Sequence, residues 1–206
     1  MTSTNRLSLK DQNRIIRFFT KESRLSAYWA GVILADGSLS RAGSILSLVS
    51  IDYDHLVSYC QDLKISPEVF VGTRTRPISE NHSQQYVVKL SIPGLGPPLS
   101  KWGIVPNKTY EFKSPHFNLQ FFSDFLRGLL DGDGHRSGPD RWRLVGNGHL
   151  MDWLSENRPR SVHVLEHVKK KEAVYKRLTF TGNGLNQYLK GARYLRNRRR
   201  LLRKWP

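Results

Sequence analysis

Two aspartates in this 206-residue chain sit where a carboxylate is costly for folding and useful for chemistry. Asp36 closes the stretch SAYWAGVILADGSL (Ser26–Leu39), and Asp133 closes SDFLRGLLDGDGH (Ser123–His135). In both, an apolar helical stretch holding a glycine, Gly31 or Gly128, runs into an Asp-Gly turn, and aligning the glycines aligns the aspartates, 97 residues apart. A carboxylate at a helix C-terminus opposes the macrodipole, at a cost of about 0.3–1 kcal/mol. The carbonyls exposed at that end deepen the negative potential. A hard divalent cation takes carboxylate and carbonyl oxygens together, so the same place suits a metal. The small residues Ala30, Gly31 and Gly128 would let the two helices lie side by side and project both carboxylates from one end. Paired carboxylates sharing metal beside a phosphodiester form an arrangement for metal-assisted hydrolysis.

The elements that would position these turns repeat in the same order. LVSIDYDHLVSYCQDL (Leu48–Leu63) faces LVGNGHLMDWLSEN (Leu144–Asn157), and KLSIPGLG (Lys89–Gly96) faces RLTFTGNG (Arg177–Gly184). The chain therefore reads as two halves of similar fold, 1–113 and 120–206, joined by a linker at 114–119. Residues 1–25, which contain RIIRFF, form an extra helix or an arm. Each half runs apolar helix, strands, helix, strand and closing helix. Strands are expected near 38–50 and 68–76, helices over 52–63 and 148–155, and further strands over 86–92 and 174–181. A basic strand pair is expected around 162–171. Asp52 or Ser50 is the expected N-cap of the first middle helix, and Gly94 with Pro97-Pro98 breaks the chain after its strand. The fold class is α+β, with two antiparallel sheets related by a pseudo-twofold axis.

Lys and Arg number 33 against 17 Asp and Glu, for a net charge of +16 and a pI near 10.3, so a polyanion is the expected partner. With 38% hydrophobic residues the chain is a folded protein and not a basic tail. The apolar run Ala27–Ala35 falls well short of the roughly 20 residues of a membrane span. A single cysteine, Cys60, excludes internal disulfides, so the compartment is reducing or its redox state does not matter to the fold. Basic residues recur with a period of two: Arg74 and Arg76, Arg141 and Arg143, Lys169 and Lys171. Tyr175 with Arg177 and Lys89 with Ser91 keep the same spacing, which places each pair on one face of a strand. Basic strand faces suit a sheet laid along nucleic acid. Their Arg and Lys can bond guanine edges and Gln85 can pair with adenine, while Ser38, Ser40, Arg41 and Arg136 complete the expected contact set. The segment Arg193–Pro206 is dense in cations and holds no acid, which suits phosphate contacts. Asp131-Gly132-Asp133-Gly134 opens like a calcium loop, but Arg136 and Trp142 stand where that loop needs Gly and Glu. Neither Gly94-Leu95-Gly96 nor Gly182-Asn183-Gly184 completes a phosphate-cradling loop.

WAGVILADG (Trp29–Gly37) and LRGLLDGDG (Leu126–Gly134) resemble the two signature helices of the single-chain LAGLIDADG homing endonucleases, and the resemblance spans nearly the whole chain. It implies two αββαββα halves with the signature helices packed at the centre and saddle-shaped sheets in successive major grooves. It also implies a monomer that cleaves both strands of a long, nearly asymmetric DNA site with magnesium or manganese. The last acid of each motif in that family binds metal, which maps onto Asp36 and Asp133, and Ala35 and Gly132 would offer backbone carbonyls. The basic residue that the family places late in each half maps onto Lys108 and Arg198. Arginine stays charged and can stabilise a phosphorane oxygen but cannot relay a proton, so the two strands are expected to be cut at different rates. The first motif has Leu34 where the second keeps Asp131, an acid that the resemblance marks as mostly structural. The alternatives on this fold are an intron RNA-splicing maturase, with RNA as partner, and a DNA-binding regulator that does not cleave. A basic RNA-binding structural protein needs no paired Asp-Gly turns. The expected location is the cytoplasm or nucleoid of a prokaryotic or phage host, or an organelle matrix.

Overall fold

The computed structural model describes residues 6–74, 84–108, 110–111, 113–138, 141–160, 162–168, 175–181 and 189. Helix α1 (Leu9–Thr20) is capped by Ser8, whose side chain accepts from the Asp11 amide, and it buries Ile15 and Phe19. Within the segment 1–25 the described residues thus hold an extra helix over Leu9–Thr20, while Arg24 and Leu25 already belong to the next helix. Helix α2 (Arg24–Asp36) starts from a capping box in which Ser23 and Ser26 satisfy each other's backbone amides, the arrangement that frees the first turn from its need for water. Every residue of α2 from Ser26 to Leu34 is buried, so this is a central helix and not an amphipathic surface one.

Strands β1 (Gly37–Leu39) and β2 (Ile45–Ser50) form a tight hairpin where the sequence suggested one strand region. Helix α3 (Tyr53–Asp62) follows. Asp52 stands at its N-cap but makes no side-chain capping bond there, whereas the Ser50 hydroxyl accepts from the Asp52 amide. The expected strand 68–76 begins late: Pro67, with φ preset for a first helical turn, opens α4 (Pro67–Phe70) before β3 (Val71–Arg74). Strand β4 (Gln85–Ser91) and the short α5 (Gly96–Ser100) complete this half.

The second half repeats the pattern. After a single 3-10 turn at Leu119–Phe121 come α6 (Phe122–Gly132), β5 (His135–Gly138), β6 (Arg141–Asn147) and α7 (Gly148–Asn157), then β7 (His163–Val168) and β8 (Tyr175–Thr181). Of the strand pair expected around 162–171, the described residues hold one strand, β7, whose partner is β8; residues 169–171 lie outside those described. The expected closing helix of this half falls on residues largely outside those described.

Both sheets are four-stranded and antiparallel with matching order, β1-β2-β4-β3 and β5-β6-β8-β7. The register aligns as well: Ser38 pairs Ser47, which pairs Lys89, and His135 pairs Arg143, which pairs Thr179. Lys89 thus matches Thr179, and the match of KLSIPGLG with RLTFTGNG, which set Lys89 against Arg177, is off by two residues. Each sheet turns one face inward, Leu46, Leu48, Val88 and Leu90 from the first and Trp142, Leu144, Leu178 and Phe180 from the second, and these join a core that includes both central helices. No described helix is long and apolar enough to cross a membrane.

Candidate active site and nucleic-acid interface

Helices α2 and α6 touch backbone to backbone. A Cβ on Gly31 would overlap the Phe125 carbonyl oxygen and lie 3.1 Å from the Gly128 Cα; a Cβ on Gly128 would overlap the Tyr28 carbonyl oxygen and lie 3.1 Å from the Gly31 Cα. The reciprocity is that of a twofold axis through the crossing. One turn further on, Gly132 lies against Ala35 and Asp36, where an added Cβ would stand 3.1 Å from Asp36 Oδ2. The helices therefore run parallel and end together. Asp36 and Asp133 emerge at that shared end, both exposed to solvent, although the nine residues before Asp36's neighbour Ala35 are buried.

Lys108 joins them. Asn107 takes a left-handed conformation (φ 51°), which asparagine tolerates better than most residues, and its carbonyl receives the amides of Tyr110 and Glu111. The turn delivers the Lys108 ammonium onto the last carbonyls of α2: Nζ donates to Ile33 at 3.1 Å, to Ala35 at 2.8 Å, and to Leu34. A cation here complements the helix C-terminus. Burial pushes the Lys108 pKa down to about 8, opposed by the charges of Asp133 and Asp36, so this ammonium lies within the field of both carboxylates. Among the residues expected to act together, Asp36, Asp133, Ala35, Gly132 and Lys108 thus share one locale. Arg198 lies outside the described residues.

The donors available to a cation are oxygens only: two carboxylates and the carbonyls of Ala35 and Gly132. That set fits a hard ion such as Mg²⁺, Mn²⁺ or Ca²⁺ and fits a thiolate- or imidazole-seeking metal poorly. No group of three or more His, Cys, Asp or Glu side chains converges among the described residues. The Ala35 carbonyl already accepts from Lys108, and its second lone pair is what it could offer an ion.

Asp131 does something else. It is fully buried, and the Tyr28 hydroxyl donates to its Oδ2 at 2.8 Å. The Tyr28 oxygen lies 2.8 Å from His55 Nε2, so with that hydroxyl hydrogen committed to Asp131, His55 Nε2–H is the donor completing the chain. The chain links α3 and α2 of one half to α6 of the other. At the pseudo-twofold position the partners are Phe125 and Leu34, both apolar and buried. Sequence reasoning missed Tyr28 and His55, though the matched exchange of Tyr/Asp for Phe/Leu between the two repeats was a readable signal.

The outward sheet faces carry most of the expected contact residues. Arg141, Arg143 and Arg177 are exposed on the outer face of the second sheet, and Lys89, Ser38 and the turn residue Arg41 are exposed on the first. Gln85 is half-buried and pairs Arg74 at the end of the first sheet. Ser40 is used locally, its hydroxyl accepting from the Ile45 amide at 3.0 Å. Arg136 lies opposite Trp142, a fully buried residue, and so has the parity of the inward face; its Nε donates to the Gly138 carbonyl at 3.2 Å. Tyr175 pairs Asn147 on the second sheet. Arg76, Lys169 and Lys171 lie outside the described residues.

No family model matches the sequence, and no curated relative does. Solved structures do match its fold. I-DmoI in complex with DNA and Ca superposes with a TM-score of 0.54 at 15% identity, covering 82% of this chain and 88% of that one. The N-terminal LAGLIDADG domain of DUF199/WhiA gives a TM-score of 0.50 at 13% identity, over 93% of this chain and 95% of that one. Full-length DUF199/WhiA from Thermatoga maritima gives 0.52 at 10% identity, with 88% of this chain covered; this chain spans only 60% of that longer protein.

Proposed function

We propose that this chain, whose fold is that of the LAGLIDADG proteins, is a site-specific double-strand DNA endonuclease of a mobile element, acting as a monomer with internal pseudo-symmetry. The observation that carries the reading is the pair of exposed aspartates at the adjoining ends of two helices that touch through glycine, with an ammonium held beside them.

On this reading the exposed arginines and Lys89 bind duplex DNA by phosphate and base-edge contacts. Asp36 and Asp133, with the carbonyls of Ala35 and Gly132, would hold magnesium or manganese. The chemistry that such ions supply when bound is activation of water and neutralisation of the departing oxygen. The protein's own part is to fix both carboxylates at one backbone-defined spacing, so that each addresses one strand. Lys108 holds the end of α2 in place and adds positive charge where a phosphorane would develop it. Arg198 is proposed as its counterpart in the second half.

A randomised duplex library tests this without a known target site. The protein is incubated with the library in magnesium, and the cut ends are sequenced beside Asp36→Asn and Asp133→Asn. Discrete ends at one long motif, lost in either variant, are expected. Absence of enriched ends while duplex binding persists would overturn the nuclease reading in favour of a non-cleaving DNA-binding regulator. Preferential binding of structured RNA over duplex DNA would favour a splicing maturase.

A further inference from the structure

The outer face of the second sheet is cationic, yet two large apolar side chains stand on it in the open. Val145 on β6 is 57% exposed and Leu165 on β7 is 54% exposed. Their neighbours across the strands are polar: Val145 pairs Arg177, and Leu165 pairs Thr179, which pairs Arg143. Arg141, Arg143 and Arg177 are exposed around them. On the first sheet the pair matching Val145 and Arg177 is Val49 and Val87, which lie half-buried. The exposed apolar positions thus belong to the face that bears the arginines.

A partner for this face must offer anionic charge and, at two points, apolar surface. Duplex DNA offers both. Its phosphates meet the guanidinium groups, and the apolar group that its major groove presents is the thymine C5-methyl. Val145 and Leu165 stand two strands apart, across β8, and two residues out of register. At about 4.8 Å between strands and 3.4 Å per residue their Cα atoms are about 12 Å apart, a span of three to four base steps.

We propose that Val145 and Leu165 each read the C5-methyl of a thymine, at two positions three to four base pairs apart in the half-site under the second sheet. The proposal rests on the reading of this chain as a DNA-binding protein, and its test reads binding, so loss of cleavage leaves it intact.

Duplexes bound by the full chain are first selected from a randomised library. Thymines in the selected site are then replaced one at a time by deoxyuridine, which removes the methyl and leaves the Watson–Crick edge unchanged. Affinity is expected to fall about three- to fourfold at each of two positions in one half-site, the factor for one methyl leaving an apolar contact. In Val145→Thr, which keeps the β-branched shape suited to a strand, the penalty at one position should vanish while the other persists; Leu165→Gln should do the reverse. Selection of a site without thymine at such a pair of positions would overturn the inference while leaving DNA binding standing. So would uridine penalties absent from the wild type, or unchanged in both variants. Selection of no duplex at all would overturn the DNA-binding reading and this inference with it. The uridine series on the wild-type protein stands without either variant.

Discussion

The hydrogen-bonded chain His55–Tyr28–Asp131 gives a sharp test of how the two halves are held together. Tyr28→Phe keeps the ring but removes the hydroxyl that donates to Asp131 and accepts from His55. The carboxylate it abandons is fully buried. Taking the donor from a buried acceptor costs about 1–3 kcal/mol, and for a chain of this length each kcal/mol lowers Tm by about 2–4 °C. A fall of about 2–12 °C is therefore expected for Tyr28→Phe. Asp131→Leu alone leaves the Tyr28 hydroxyl facing an apolar group and should also destabilise. The double variant, however, recreates on one side of the pseudo-twofold axis the Phe125/Leu34 pair that the protein already carries on the other. Its loss should be smaller than the sum of the singles by about 0.5–3 kcal/mol, the coupling expected of residues in direct contact. Urea denaturation of the four proteins, followed by far-UV circular dichroism, measures the cycle. Additive losses would refute the claim that Tyr28 and Asp131 act as a unit and that the apolar pair is its structural equivalent.

Three further outcomes follow from the same geometry. Gly128→Ala forces a methyl into the Tyr28 carbonyl; it should destabilise by about 1–3 kcal/mol in a thermal melt and reduce DNA nicking more than the stability loss explains, because separating the helices moves both aspartates. Asp124 is buried near Arg24 and Arg127, with one carboxylate oxygen unpartnered, and burial pushes its pKa up to about 6 despite the two arginines. Its folded value lies above its unfolded one, so the native state binds the extra proton and stability declines as pH rises from about 4 to 6. Asp124→Asn should therefore gain stability over the wild type at pH 7 and lose that gain below pH 4, as read by urea midpoints at both pH values. Lys108→Met removes the ammonium from the end of α2; it should slow cleavage and do so more for one strand than the other, visible as accumulated nicked intermediate on a plasmid carrying the site. Equal slowing of both strands would argue against a strand-specific role.

The central device was legible because it depends on residue types that admit few substitutes. Gly31 and Gly128 had to be small for the helices to meet, and Asp36 and Asp133 then had to share an end. Strand parity was equally readable for Arg141, Arg143 and Arg177, which alternate with the buried Trp142, Leu144 and Leu178. It failed for Arg136, since assigning it to a face requires knowing that it stands opposite Trp142. The hairpin at 37–50 was readable and passed over: Ser40–Ser44 sets polar and small residues, among them Gly43 with φ 66°, between Leu39 and Ile45, which is a turn signal. The turn of helix at Pro67–Phe70 was hidden because four residues are too few to show a period. Lys108 was found only through resemblance, because its place on the α2 carbonyls depends on a left-handed residue at Asn107 and on contacts about 75 residues away in sequence.

The glycine crossing works as a caliper. Its jaws are main chain, so as long as Gly31 and Gly128 let them close, the gap between the two acidic tips is set by backbone atoms and not by the side chains around them. Side chains elsewhere in the core are free to drift in pairs, as Tyr/Asp has against Phe/Leu, without altering that gap. A shape so gauged can outlast almost all of its spelling, which is consistent with a fold still recognisable at 10–15% identity.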